Sequence, residues 1–287
     1  MRTYDFVLRG DTGRYDKGSV LSFPSVTTII SAVYAKPQLV GWTYNMTLDA
    51  IAYGLKLVEA RYDGTDESLG NAAFRQDLMD IFADHETLDE WIRESGIHYE
   101  DFTREAQERG TAAHELLKGL VGMWRISPAR AASFAARTLK ASKDPHKRSV
   151  AGWWLEAEPV PTLSEHAVVH LGLRYAGRLD LGVSGVKLPP NQNPQAYFGG
   201  IIDLKTRRAE LTKTPHKSDE MQTGLYKLAA VDMGLIPPDT GTAVLLAGDD
   251  GAPANLVATW VPDEAAIKIV ELYWLLRKTD ANGRKVR

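Results

Sequence analysis

The segment that most constrains the fold is a glycine pair followed by an apolar strand that ends in charge, Gly199-Gly200-Ile201-Ile202-Asp203-Leu204-Lys205-Thr206. Side chains alternate between the two faces of a strand, so Asp203 and Lys205 share one face and Leu204 takes the other. A carboxylate and an ammonium group at the end of a buried strand lose hydration, and this loss must be offset. A divalent cation beside a phosphate would do so. The segment therefore predicts a buried strand that ends at a polar site.

Three other segments carry polar residues at regular spacing. Gly177-Arg178-Leu179-Asp180 closes a second strand-like run, and Gln222 and Tyr226 lie one helical turn apart. The third segment, Arg109-Gly110-Thr111-Ala112-Ala113-His114, lies in a helical pattern. A glycine inside a helix costs about 1 kcal/mol relative to alanine, so Gly110 indicates either a close backbone approach or a break.

The net charge and the cysteine content limit which classes of function this chain can have. The net charge of −3 over 287 residues does not by itself indicate a nucleic-acid binder, so such a role depends on a local surface. One candidate surface is a basic stretch, for which a solvated helix face is an equally good explanation: Arg125, Arg130, Arg137, Lys140, Lys143, Lys147 and Arg148. The chain has no cysteine, which excludes disulfides, thiol catalysis and iron–sulfur clusters.

No segment resembles a signal peptide or a run of about 20 apolar residues that could cross a bilayer. We therefore expect a cytoplasmic protein without a membrane partner. No Gly-x-x-x-x-Gly-Lys-[Ser/Thr] loop is present, so no ATP-driven helicase is expected.

Hydrophobic periodicity predicts an α/β fold, in which a central mixed β-sheet is flanked by helices and preceded by a mainly helical N-terminal part. We expect residues 1–98 to form that N-terminal part and residues 99–287 to form the core. Predicted helices cover 37–57, 71–95, 99–122, 147–157 and 219–232, with others starting at Ser25, Ser127 and Pro262. A hairpin is predicted over 5–23, and strands over 166–174, 175–183, 197–205, 242–247 and 255–261.

Taken in chain order, these motifs resemble the RecB-like branch of the PD-(D/E)xK nuclease superfamily, and most of all the stand-alone exonucleases of phages. The resemblance rests on Arg109-Gly-Thr-x-x-His114, Gly177-x-x-Asp180, Asp203-x-Lys205 and Gln222-x-x-x-Tyr226. The N-terminal Pro24-Ser25-Val26-Thr27-Thr28-Ile29-Ile30 fits that subgroup less specifically. Each motif is weak alone, but their order makes coincidence a poor explanation. The resemblance implies a restriction-endonuclease-like core.

The resemblance also implies a metal site. In such nucleases the positions of His114, Asp180 and Asp203 bind one or two Mg²⁺ or Mn²⁺ ions, and the carbonyl of Leu204 adds a ligand. Asp180, Asp203 and Lys205 are then the catalytic residues, with Lys205 either acting on the attacking water or stabilising charge on the phosphate. Cysteine ligands of an iron–sulfur cluster, usual in some relatives, are absent from this chain.

The implied substrate is DNA. Its predicted binding residues are Gln222, Tyr226, Arg109, Thr111, Arg178, Thr206 and Arg207. The implied function is a metal-dependent DNA exonuclease in phage recombination or replication, with a strand-annealing protein as a possible partner and a homo-oligomer as a possible assembly. Two further functions remain open on the same fold, a structure-specific or restriction-like endonuclease and a non-catalytic DNA-binding protein.

The sequence does not decide the roles of several acidic and aromatic residues. Glu156 and Glu165 could each supply a further acidic ligand, although a solvent-exposed carboxylate is the better explanation of both. Trp153 and Trp154 could stack on bases of a single strand or pack in the core. His166, His170 and His216 lack spacing typical of a zinc site and are expected to be structural.

Overall fold

The computed structural model describes residues 3–9, 15–34, 99–187 and 197–278. The chain divides into two compact units, one made of Met1–Ala35 together with Arg109–Arg287 and the other of Lys36–Glu108. The predicted helices over 37–57 and 71–95 lie outside the described residues. The predicted division after residue 98 stays a prediction.

Six α-helices lie within the described ranges. In chain order they are α1 Val26–Val33, α2 Tyr99–Ile126, α3 Pro128–Ala141, α4 Pro145–Ala157, α5 Lys217–Asp232 and α6 Asp263–Lys278. Their starts follow from local chemistry, because the side chains of Ser25, Ser127 and Asp144 accept hydrogen bonds from the first backbone amides of α1, α3 and α4. Among the described residues, no helix combines the length and apolar character that a membrane span requires.

Seven strands form two sheets within the same ranges. They are β1 Thr3–Arg9, β2 Tyr15–Pro24, β3 Val160–His170, β4 Tyr175–Lys187, β5 Tyr197–Arg207, β6 Gly241–Gly248 and β7 Asn255–Thr259. Strands β1 and β2 pair as a separate hairpin, and the other five form one sheet in the order β3-β4-β5-β6-β7. All neighbours in this sheet are antiparallel except β5 and β6. That parallel pair needs a crossover, which α5 supplies.

Apolar side chains of the sheet contribute to two separate buried clusters. Ile202 and Leu204 of β5 pack with residues of α2, α3 and α4, whereas Ile201 packs with residues of α1, α5 and α6. This alternation is what a strand buried on both faces produces. Asp203 therefore lies on the side of α5. The predicted α/β fold, a mixed sheet flanked by helices, is confirmed.

One strand ends earlier than its hydrophobic pattern indicates. The predicted strand over 166–174 ends at His170, because residues 171–174 form the turn into β4. The Arg174 amide donates to the carbonyl of His170 (2.8 Å), and Arg174 takes a φ of +59°. This turn fixes the pairing of β3 with β4.

Candidate metal centre

Three carboxylates occupy opposing positions on three neighbouring strands. The pairs Ser164–Leu181 and His166–Leu179 flank Glu165 and Asp180, so the register places these two residues opposite each other. The pair Leu181–Ile202 likewise places Asp180 opposite Asp203, one position further along. Like charges facing each other across strands are destabilising. The sheet therefore concentrates negative charge in one row of three residues.

His114 reaches this row from α2. Its Nδ1 lies 3.3 Å from Oδ1 of Asp180 and 4.0 Å from Oε1 of Glu165. His114, Glu165 and Asp180 each offer one ligand atom, and these atoms lie within 4.8 Å of one another. A Cβ on Gly110 would lie 3.7 Å from the Thr206 hydroxyl at the end of β5, which is an ordinary contact, so α2 lies near β5 without requiring a glycine here. Of the two explanations for this glycine, a helix break is wrong because α2 is continuous, and no approach close enough to exclude a Cβ is observed.

Asp203 is the most deeply buried member of the row, with 1% of its surface exposed. The Lys205 ammonium lies 2.6 Å from Oδ2 of Asp203, and the Gln222 amide donates to Oδ1 (3.1 Å). Oδ2 is buried, and its close partner among the described residues is this ammonium. An oxygen in this state retains a lone pair for a cation.

Gln222 is positioned by a second contact on α5. Its amide also donates to the hydroxyl of Tyr226 (3.0 Å), whose ring is buried. The ring packs over Gly177 of β4, where a Cβ would lie 2.5 Å from Cε1 of Tyr226. Gly177 is thus needed for the close approach of Tyr226, which in turn orients Gln222 toward Asp203.

Burial and mutual repulsion raise the pKa values of two carboxyl groups, those of Asp203 and Glu165. Burial raises the pKa of Asp203 to about 7, with a further contribution from Asp180, although the charge of Lys205 opposes the shift. Burial and the charge of Asp180 raise the pKa of Glu165 as well. Both groups therefore hold a proton to higher pH than they would in water, and an added positive charge would oppose this.

Opposite charges shift the pKa values of His114, Asp180 and Lys205 in the direction that favours their charged forms. Burial alone would raise the pKa of Asp180 and lower those of His114 and Lys205. The hydrogen bond and charge of His114 instead bring the pKa of Asp180 below its ordinary value, and Asp180 raises that of His114. The carboxylate of Asp203 raises the pKa of Lys205 in the same way. A lysine held cationic donates hydrogen bonds and supplies positive charge rather than accepting a proton.

This donor set matches a hard divalent cation. Carboxylate oxygens are the ligands that Mg²⁺ prefers, and an added imidazole also suits Mn²⁺. His114, Glu165 and Asp180 bring one donor atom each within 4.8 Å of one another, and Asp203 lies beside Asp180 on the neighbouring strand. The residues present therefore fit a bound Mg²⁺ or Mn²⁺ ion.

The remaining predicted site residues lie around this row. The Leu204 amide donates to Oδ2 of Asp180 (2.8 Å), which fixes that carboxylate, while its carbonyl ligand role stays a prediction. Arg178 is exposed, with its guanidinium 4.0 Å from Glu165. Arg207 donates to the buried Asp219 (2.6 Å). The other three are partly or fully exposed on β5 and α2: Thr206, Arg109 and Thr111. Their contacts with DNA stay predictions.

Glu165 is the site residue that the sequence left undecided. The structure brings it to His114 and Asp180, whereas Glu156 is exposed on α4. Glu165 has a φ of +48°, a backbone conformation that is strained for a residue with a side chain. Its position opposite Asp180 depends on the register of two strands, which no local pattern encodes. Strain of this kind is concentrated at functional sites.

Burial decides the role of the tryptophan pair on α4. Trp153 and Trp154 are both 3% exposed and belong to the core, so base stacking by either residue is wrong. Among the histidines, His170 accepts a hydrogen bond from the Leu173 amide (3.3 Å) in the β3–β4 turn. This contact accords with the structural role predicted for His170.

Comparisons with known proteins do not assign this chain to a family. No protein-family model and no curated protein matches the chain. A solved structure titled "Crystal structure of SSO0001" aligns at 13% identity with a TM-score of 0.26, over 40% of this chain and 50% of that chain. The aligned part thus spans half the length of that protein. A likeness this weak carries no conclusion about function.

Proposed function

We propose that this protein is a divalent-metal-dependent deoxyribonuclease related to the PD-(D/E)xK superfamily. The observation that carries the proposal is the convergence of His114, Glu165 and Asp180, with Asp203 opposite Asp180 on the next strand and the Lys205 ammonium 2.6 Å from Asp203. Phosphodiester hydrolysis needs neutralisation of the charge that develops on the phosphate, and this set of groups can provide it.

The metal is held by His114, Asp180, Asp203 and Glu165 in this proposal. When bound, a divalent ion supplies Lewis acidity and offsets the repulsion among the carboxylates. The Leu204 amide keeps Oδ2 of Asp180 in place, which leaves Oδ1 facing His114. One or two ions can be accommodated by the chemistry of four such ligands.

Lys205 stabilises negative charge on the phosphate. Its side chain is 22% exposed, so it borders both the buried Asp203 and the solvent from which a substrate arrives. Gln222 holds Asp203 in orientation, and Tyr226 holds Gln222. These two residues therefore act through Asp203 as positioning residues, whether or not they also contact DNA.

The preferred substrate is DNA attacked from its ends, in phage recombination or replication in the host cytoplasm. This preference rests on the motif resemblance alone, as do a strand-annealing partner and a homo-oligomeric assembly. An endonuclease would use the same metal centre, and a non-catalytic DNA-binding protein would use the same fold. The retention of every charged group at the centre favours an active enzyme over a non-catalytic binding protein.

A time course of DNA cleavage tests the proposal. The full chain would be incubated with linear and covalently closed circular DNA, each single- and double-stranded, in Mg²⁺, Mn²⁺ or a chelator. The Asp203→Asn variant is the inactive comparison, and Lys268→Ala, an exposed position on α6, is the matched control.

We expect the wild type and the Lys268→Ala control to degrade linear DNA only when metal is present. Rapid cutting of closed circles would identify an endonuclease instead. No metal-dependent cleavage of any of these substrates, with metal bound at the centre, would contradict a catalytic role.

A further inference from the structure

A second polar contact, besides the one at Asp203, joins strand β5 to helix α5. At the metal centre the Gln222 amide donates to Oδ1 of Asp203 (3.1 Å). Further along the same strand, the Arg207 guanidinium donates to Oδ2 of Asp219 at 2.6 Å. Asp203 and Arg207 are four residues apart and so share one face of β5. Asp219 precedes Gln222 by three residues, which puts both on one side of α5. The two contacts therefore fix the helix against the strand at two points.

Asp219 is buried more deeply than the start of a helix requires. An acidic residue in the first turn favours a helix without being buried, and Asp263 and Glu264 in the first turn of α6 are both exposed. Asp219 has only 6% of its surface exposed, and its Oδ2 also accepts a hydrogen bond from the His216 amide (3.2 Å). A buried carboxylate is costly without a partner, and Arg207 is that partner. The helix start alone therefore does not explain the place of Asp219.

The ion pair of Arg207 and Asp219 fixes geometry more than it adds stability. Apolar side chains of the same volume often stabilise a protein as well as a buried ion pair does, because both charges of the pair lose hydration. A charged hydrogen bond does set the distance and direction between its two groups. Lys205 lies two residues from both Asp203 and Arg207 on β5, so the pair is next to the proposed reacting groups.

We propose that Asp219 and Arg207 are positioning residues of the metal centre, which hold the first turn of α5 at the end of β5 so that Gln222 reaches its carboxylate partner. Tyr226 accepts a hydrogen bond from the Gln222 amide (3.0 Å) one turn later, so Gln222 is held from both sides. Arg207 then acts through Asp219 instead of contacting DNA, the role that the motif resemblance implies for it. The inference rests on the proposed metal centre, and it adds two residues that act on it from a distance.

A double-mutant cycle in Mn²⁺ affinity tests this role without requiring cleavage. Asp219→Asn keeps the shape of the side chain and removes its charge, and it would be made in the wild type and in the Gln222→Ala protein. The matched control is Glu220→Gln, which removes a carboxylate of the same turn that pairs with the exposed Lys217 at 2.7 Å. Calorimetry measures each affinity, and circular dichroism with thermal melts shows whether each variant is folded.

Asp219→Asn and Gln222→Ala should each weaken Mn²⁺ binding about tenfold, as expected for groups that orient a metal ligand. Their combination should weaken binding little more than either change alone, because both release the same carboxylate. Glu220→Gln should bind Mn²⁺ as the wild type does. If Asp219→Asn does not fold, its combination with Arg207→Gln leaves no buried charge unpaired and takes its place in the cycle, with the same expected result.

An unchanged affinity in Asp219→Asn, or equal losses with and without Gln222, would overturn the inference. An ion pair that only stabilises the fold would lower the melting temperature without this coupling to Gln222.

DNA binding separates a positioning role of Arg207 from a direct contact with DNA. A fluorescently labelled duplex oligonucleotide would be titrated with the Asp203→Asn protein, with and without Arg207→Gln, and its anisotropy followed at several salt concentrations. The slope of log affinity against log salt should be the same for both proteins. A slope reduced by about 0.9 would show a lost phosphate contact and overturn the positioning role of Arg207.

These outcomes are distinguishable from failure of the proposed function. If the wild type binds Mn²⁺ but neither binds nor cleaves DNA, the nuclease fails and the Mn²⁺ cycle alone decides the inference. If the wild type cleaves DNA and the losses in Mn²⁺ affinity are additive, the nuclease stands and the positioning role fails. If the wild type binds no Mn²⁺, both fail.

Discussion

Nδ1 of His114 lies 3.3 Å from Oδ1 of Asp180, so a helix and a strand far apart in the chain meet at one polar contact. The contact raises the pKa of the imidazole against the opposing effect of burial, and it lowers that of the carboxyl. A proton on His114 therefore competes with a metal ion for the same place.

Metal binding should consequently depend on pH. His114, whose pKa is raised, and Asp203, whose pKa is about 7, must both lose protons before they can act as ligands. We expect the affinity for Mn²⁺ to rise steeply between about pH 6 and 8, with proton release on binding. Calorimetric titrations in buffers of different ionisation enthalpy measure this release, and an affinity independent of pH would show that these groups are not ligands.

Stability of the metal-free protein should fall between pH 3.8 and about 7. The folded protein keeps the proton of Asp203 up to about pH 7, whereas the unfolded chain loses it near 3.8. Unfolding thus releases protons between these values, so stability declines as pH rises, and Glu165 and His114, whose pKa values are also raised, act in the same direction. Thermal melts in chelator should show the decline, and Asp203→Asn should reduce it. A rise in melting temperature across this range would contradict the assigned shift.

Glu165→Gln should have opposite effects on stability and on metal affinity. Removing one of three facing carboxylates relieves repulsion, so the metal-free variant should melt at the same or a higher temperature above pH 6. The loss of a ligand should weaken Mn²⁺ binding by about 10- to 100-fold. Glu156→Gln, exposed on α4, is the matched control and should change neither quantity. Equal behaviour of the two variants would remove Glu165 from the metal site.

Part of this arrangement is encoded locally. The alternation along β5 places Asp203 and Lys205 together, and the helical spacing of Gln222 and Tyr226 puts them one turn apart, as observed. Glu165 could not be assigned because its place depends on the long-range register of β3 with β4 and on a strained φ. Burial of Trp153 and Trp154 likewise follows from tertiary packing, to which a basic neighbourhood in sequence gives no guide.

Asp203 and Lys205 should be coupled in stability but not in activity. Lys205→Met leaves the buried carboxylate of Asp203 without its counter-charge and should destabilise the protein by up to about 3 kcal/mol at pH 8. Asp203→Asn combined with Lys205→Met removes both charges and should recover most of this loss. Cleavage should remain at least about 100-fold reduced in all three variants. Denaturant melts and cleavage rates of the wild type, the two single variants and the double variant test this. Additive effects on stability would show that the two side chains do not interact.

Gly177→Ala should impair the site through Tyr226. The added methyl would lie 2.5 Å from the tyrosine ring and 3.1 Å from Val26, so the ring must shift and carry Gln222 with it. We expect a loss of about 1–3 kcal/mol in stability and a slower cleavage rate. Tyr226→Phe keeps the packing and removes only the hydroxyl, so it should reduce the rate with little effect on stability. An unperturbed melting temperature in Gly177→Ala would show that the approach is less tight than described.

The most direct measurement of the central claim is anomalous diffraction from crystals grown or soaked with Mn²⁺. The account predicts an anomalous peak in direct contact with His114 and Asp180, bordered by Glu165 and Asp203. A peak only at another location, or none among these four side chains at saturating Mn²⁺, would contradict it.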